Sequence, residues 1–115
     1  MPLSFPFQRG QLVVVVVTAP RQKLWGRILG LETAGIMVRG IDIAPWEDVL
    51  NLVNRGHGDQ VALDTRFLPM HRIEQMYLDE ASSGVPSLGE VFKERTGLDP
   101  MDFLADLDMP RRKRR

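Results

Sequence analysis

The sequence predicts a mainly β fold, a small five-stranded barrel with one inserted short helix and a C-terminal helical tail. Three observations carry that expectation. Residues 13–17 are five consecutive valines, and β-branched residues suit a pleated strand surface. Glycines recur inside the next two segments, at Gly26, Gly30 and Gly40, where small barrels bend or bulge in order to close. Beyond residue 78 the alternating pattern gives way to a Ser/Gly/Pro stretch and two short runs that open on capping residues.

Taken in order, Pro2 and Pro6 exclude a stable helix in residues 1–10. The alternation of Leu3, Phe5 and Phe7 reads as an extended arm over core surface. Gln11 to Thr18 is the first strand, and its unbroken apolar run implies burial on both faces. A turn at Ala19-Pro20-Arg21-Gln22 leads to a second strand from Lys23 to Glu32. Thr33-Ala34-Gly35 makes a hairpin turn into a third strand, Gly35 to Ile43. Ile36 and Val38 share one face of that strand and Ile41 and Ile43 the other, so a bulge is expected at Gly40. Pro45 to Asn54 reads as a helix with Glu47 and Asp48 in its first turn and Trp46, Val49, Leu50 and Val53 on its apolar face. A loop follows. Gln60 to Phe67 returns to period two, Pro69 interrupts, and Arg72 to Leu78 is the last strand.

In the tail, Ser87 and Glu90 have the spacing of a capping box, and Gly97 ends the helix that they open. Asp99-Pro100 opens a second helix, expected to run through Leu107 and to stop at Pro110. The organisation is thus a barrel domain over residues 1–78 with a helix near 45–54, a linker and two short helices over 79–109, and a disordered basic tip at 110–115.

Charge divides along the same lines. The 115-residue chain has 15 basic and 15 acidic residues, no cysteine and 43% apolar residues, a composition ordinary for a single globular domain. The barrel segment is near neutral, the segment 79–109 is acidic, and Arg111, Arg112, Lys113, Arg114 and Arg115 close the chain. The longest apolar run, Leu12 to Val17, is too short to span a bilayer. The absence of cysteine suits a reducing compartment, so a cytoplasmic protein with no membrane partner is expected.

Gly10 precedes the first strand, and Gly26-Arg27-Ile28-Leu29-Gly30-Leu31-Glu32 is followed by Ile36-Met37-Val38. A glycine-bent second strand with an acidic residue at its end and an apolar third strand resembles the first signature segment of the Sm/LSm family of SH3-like barrels. Phe67-Leu68-Pro69-Met70-His71-Arg72-Ile73 stands where such barrels place a tight helical turn before the last strand. The resemblance, mainly over residues 10–38 and 61–78, implies that fold and a ring assembly. The N-terminal prolines replace the helix with which that family typically starts. Glu32 stands at the first position of its uridine-holding polar pair, and Gly35 and Ile36 occupy the region of the second.

The chemistry of the chain points to binding. Its two histidines, His57 and His71, are far apart and lack the ligand spacing of a zinc site. No activated-serine motif, phosphate-cradling glycine loop or histidine-base arrangement occurs. A non-catalytic module without cofactor is therefore expected, one that self-associates as a homo-oligomer and mediates assembly with itself or a protein partner. The alternative is single-stranded RNA binding, which combines basic groups with aromatic stacking faces. Its candidate residues are Arg21, Lys23, Trp25, Arg27, Arg39, Arg66, His71, Arg72 and the tip Arg111 to Arg115, with Tyr77 as a second platform. The rival view pairs these arginines with Glu32, Asp42, Asp64 and Glu74.

Overall fold

The computed structural model describes residues 6–105. The expectations for Leu3 and Phe5, for the second tail helix beyond residue 105, for the stop at Pro110 and for the tip Arg111 to Arg115 lie outside the described residues.

Five antiparallel strands form one sheet in the order β4-β3-β2-β1-β5. They are β1 (Leu12–Val17), β2 (Gln22–Leu31), β3 (Gly35–Asp42), β4 (Asp64–Pro69) and β5 (Ile73–Leu78). Three helices accompany them: α1 (Trp46–Asn54), α2 (Leu88–Thr96) and α3 (Pro100–Phe103). Single 3-10 turns occupy Gly58–Gln60 and Met70–Arg72. The second of these connects β4 to β5, and among the described residues no ladder joins those two strands.

Both faces of the sheet are buried, as the valine run requires. Val13, Val15 and Val17 point to an inner face, where they meet Leu24, Ile28, Ile36, Val38 and Leu68. Val14 points the other way, to an outer core of Trp25, Ile41, Val49, Leu50, Val53, Phe92 and Leu104. Burial of apolar surface on both sides is the main favourable term for a fold of this size. The three helices roof the outer face. Residues 88–104 are therefore part of this fold, with Phe92 and Leu104 fully buried against it.

The two-sided core corrects the expected bulge at Gly40. Ile36 and Val38 face the inner core and Ile41 the outer one by plain alternation along β3. Pairing runs without interruption through Gly26↔Gly40 and Gly40↔Asp64, and the register shift lies on β2 between Ile28 and Gly30. Gly26 and Gly40 are instead a close approach of two backbones. A Cβ on Gly40 would lie 2.7 Å from Gly26 Cα, and one on Gly26 would lie 2.6 Å from the Arg39 carbonyl oxygen.

The fourth strand is also shorter than its alternation suggests. Pairing with β3 begins only at Asp64, because beyond Gly40 the chain of β3 leads away to α1. Val61 and Leu63 have no strand to join, and they pack against the outer core from a loop. Pro69 ends β4 opposite Gly35. The backbone N–H of Met70 donates to the Ala34 carbonyl at 2.8 Å. Antiparallel alternation then places Gly35/Pro69, Met37/Phe67 and Arg39/Thr65 in non-hydrogen-bonded pairs, so Pro69 forfeits no ladder bond.

The caps of the tail form as their local signals direct, but α3 ends at Phe103 with Leu104 as its C-cap, short of the expected end at Leu107. Ser87 and Glu90 make the full capping box, and Gly97 closes α2 in the left-handed conformation at φ 80°. Asp99 caps α3 by accepting from the Met101 N–H at 2.9 Å.

Candidate functional site

Most of the cationic and aromatic candidates are committed to the fold. Trp25 is fully buried. Its ring meets Trp46 edge-on at 5.2 Å and lies 5.5 Å from Phe92, and its indole N–H donates to Asp79 Oδ2 at 2.9 Å. No face of it is open for a base to stack on. Arg39 is only 5% exposed; its Nε donates to the Ala105 carbonyl at 2.8 Å and one terminal nitrogen to Thr65 Oγ1 at 3.1 Å. Both correct the expectation that these residues form a binding face. The cause is the helical roof, which covers the outer side of β2 and β3.

The remaining arginines are mostly spoken for. Arg66 binds Asp64 at 2.7 Å and Asp42 at 3.5 Å. The hydrogen bond that Arg66 donates to Asp64 raises its pKa above the ordinary arginine value against the opposing effect of burial, and the charges of Asp64 and Asp42 add to the rise. Arg21 pairs with Glu74 at 3.2 Å on the surface. Arg72 holds the β1–β2 turn by donating to the Thr18 carbonyl at 2.7 Å and the Ala19 carbonyl at 2.9 Å. Lys23, His71 and Tyr77 are exposed. Lys23 and Tyr77 line one cleft with Val14, Ile43 and Leu78, whereas His71 sits apart in the 3-10 turn after β4. Arg27 is half-buried on the outer face, opposite Arg39. Among the described residues no group of three His, Cys, Asp or Glu could hold a metal ion, and no helix is long and apolar enough to cross a membrane.

Two features stand out that the sequence did not single out. Asp79, read as the start of an acidic segment, accepts from Trp25 Nε1 and from the Leu88 and Gly89 backbone N–H groups at 2.7 and 2.8 Å. It fastens α2 to the sheet, and its position one residue after the last strand is the only signal that marks it. The second feature is apolar surface along β4. Met37 and Phe67 are cross-strand partners, and with Leu31 and Met70 they stay exposed, Phe67 at 48%. The helices α1 and α2 have nine residues each, about 13 Å of length, too little to cover the sheet to that end. A neighbouring open cavity of about 580 Å³ is lined by the apolar Phe7, Leu31, Ile36, Met70, Ile73 and Met76 together with Glu32 and Thr33.

No family model matches the sequence, and neither a curated protein nor a solved structure matches it.

Proposed function

We propose that this protein is a non-catalytic SH3-like, Sm-like barrel module that self-associates through its sheet edges and mediates protein assembly. The observation that carries this reading is the β4 edge. Among the described residues its outward backbone groups, at Thr65 and Phe67 by the alternation above, have no partner strand in the sheet, and the Met37/Phe67 pair lies exposed beside them. A free strand edge flanked by apolar side chains is a template for another strand, and β5 offers the second edge of the same sheet. The commitment of Trp25, Arg39, Arg66 and Arg72 to internal contacts weighs against single-stranded RNA as the ligand, since that chemistry needs several open cations beside open rings and these four leave Lys23 beside Tyr77 as a single such pair in one cleft.

Size-exclusion chromatography with light scattering tests it, with and without a short uridine- or adenine-rich RNA at low and moderate salt. The expected result is an oligomer indifferent to RNA, which Phe67→Lys converts to monomer by placing a charge on the edge. A monomer at every concentration overturns the reading. So does an oligomer that forms only on RNA and falls apart steeply with salt, the signature of phosphate contacts.

A further inference from the structure

The chain has six methionines and no cysteine, so thioethers are its only oxidisable sulfur. Among the described residues the methionines are Met37, Met70, Met76 and Met101. Two of these four, Met37 and Met70, belong to the exposed apolar patch at β4, and a third, Met76, lines the cavity beside it. Met37 faces Phe67 in a non-hydrogen-bonded pair, the type in which opposed side chains lie closer. Met70 follows directly after Pro69, at the end of the same strand. Met37 and Met70 are 39% and 45% exposed, and Met101 on α3, at 37%, is a reference of matching accessibility. Met76 is half-buried against the inner core.

An accessible thioether reacts with hydrogen peroxide. A new S–O bond forms as the peroxide O–O bond breaks and water leaves, so that sulfur is oxidised by two electrons and the peroxide is reduced. The product is a sulfoxide, which turns a flexible apolar side chain into a polar one with a strong acceptor oxygen. That change matters at a strand edge. When another strand docks, the outward N–H groups of Thr65 and Phe67 are taken up by the new ladder, and Pro69 has no N–H to offer. A sulfoxide oxygen covered there has no donor to spare, and an unsatisfied polar group is costly to bury. We propose that Met37 and Met70 are a reversible oxidation site through which a peroxide releases the β4 edge from its partner. This inference rests on the self-association proposed above, and the oxidant acts on the dissociated chain, whose edge is open.

The test treats the dilute full chain with hydrogen peroxide, removes the oxidant and reconcentrates the protein. Peptide mass spectrometry locates the added oxygen, and light scattering gives the association constant. Met37 and Met70 are expected to gain oxygen ahead of Met76, and the dissociation constant of the assembly to rise about tenfold or more. Methionine sulfoxide reductases are expected to restore the native value. The variant carrying Met37→Leu and Met70→Leu keeps the patch apolar at similar volume; it is expected to assemble like the native chain and to ignore peroxide. Undiminished assembly with both sulfoxides in place overturns the proposal. So does an equal loss of assembly in the double variant, which traces the effect to another methionine, and so does a loss that persists once the reductases have removed both oxygens. A chain that is monomeric before any peroxide is added overturns the self-association reading itself, and this inference with it.

Discussion

The two cores of this protein are built from different materials. The inner one is aliphatic and comes from strands, with Val13, Val15, Val17, Leu24, Ile28, Ile36, Val38 and Leu68 at its centre. The outer one sets a cluster of rings among aliphatic side chains and joins sheet to helix through Trp25, Trp46, Phe92 and Phe103, the last pair 4.8 Å apart. Branched aliphatic side chains fill the narrow space inside a curled sheet, whereas the wider gap between a sheet and a helical layer takes rings. Their fastenings differ too. The inner core is backed by the four ladders of one five-stranded sheet, while the outer layer is held by packing and by a few polar anchors, chiefly Asp79 and the Ser87 capping box. That difference predicts that the strand core acts as the scaffold and the helices as a docked layer that opens at a lower free energy.

That contrast can be broken, and the largest lever is Phe92. Phe92→Ala empties the centre of the aromatic cluster and is expected to cost about 3–5 kcal/mol. Amide exchange should then rise across α2 and α3 while the β1–β2–β3 ladders keep their protection. A uniform loss over all five strands would mean that the two cores unfold as one. Asp79→Ala acts next in size. It leaves the buried Trp25 N–H and two helix-start N–H groups without their acceptor, at a cost of about 2–4 kcal/mol. The denaturant midpoint should fall, and tryptophan emission should shift to the red before the sheet unfolds.

The smallest effect sharpens the comparison at the surface. Arg95 on α2 donates to Glu47 on α1 at 2.9 Å. That hydrogen bond, and then the guanidinium charge, lowers the Glu47 pKa below the usual glutamate value, and the same hydrogen bond raises that of Arg95. A carboxylate depressed in the folded state contributes its stability above the unfolded pKa and loses it as pH falls through the folded one. The helical layer should therefore weaken slightly on acidification below the ordinary glutamate range. Glu47→Gln should abolish that component, and so should molar salt, because an exposed pair is screened.

Local chemistry was legible in the sequence, and relations across the sheet were not. Ser87, Glu90 and Gly97 predicted their caps because each acts within four residues. The valine strand and the first helix were equally plain. The cationic neighbours Lys23 and Arg27 give Trp25 the look of a stacking platform in the sequence, and no periodicity announces that a ring more than sixty residues later, Phe92, covers it. The same blindness turned the change of face at Ile41 into a supposed bulge, since a roof over the outer side was needed to make both faces apolar. Of the candidate binding residues, Lys23, Trp25, Arg27, Arg39 and Arg66 lie on the strands expected for them and Arg72 falls in the 3-10 turn just before its strand, but whether each arginine faces solvent, a carboxylate or a carbonyl depends on partners distant in the chain.

The segment between Asp79 and Ser87 has a consequence of its own. Both of its ends are fastened, at Asp79 to α2 and at Ser87 through the capping box. Between them Ser82 and Val85 exchange backbone hydrogen bonds at 2.9 and 2.8 Å around an exposed tip, with Ser83 and Gly84 at φ 52° and 80°. The anchors bring the two ends together whatever lies between them, and the entropy of a longer loop grows only with the logarithm of its length. The fold therefore carries a grafting port: a peptide, a reporter or a whole second domain spliced between Ser83 and Gly84 leaves both cores intact.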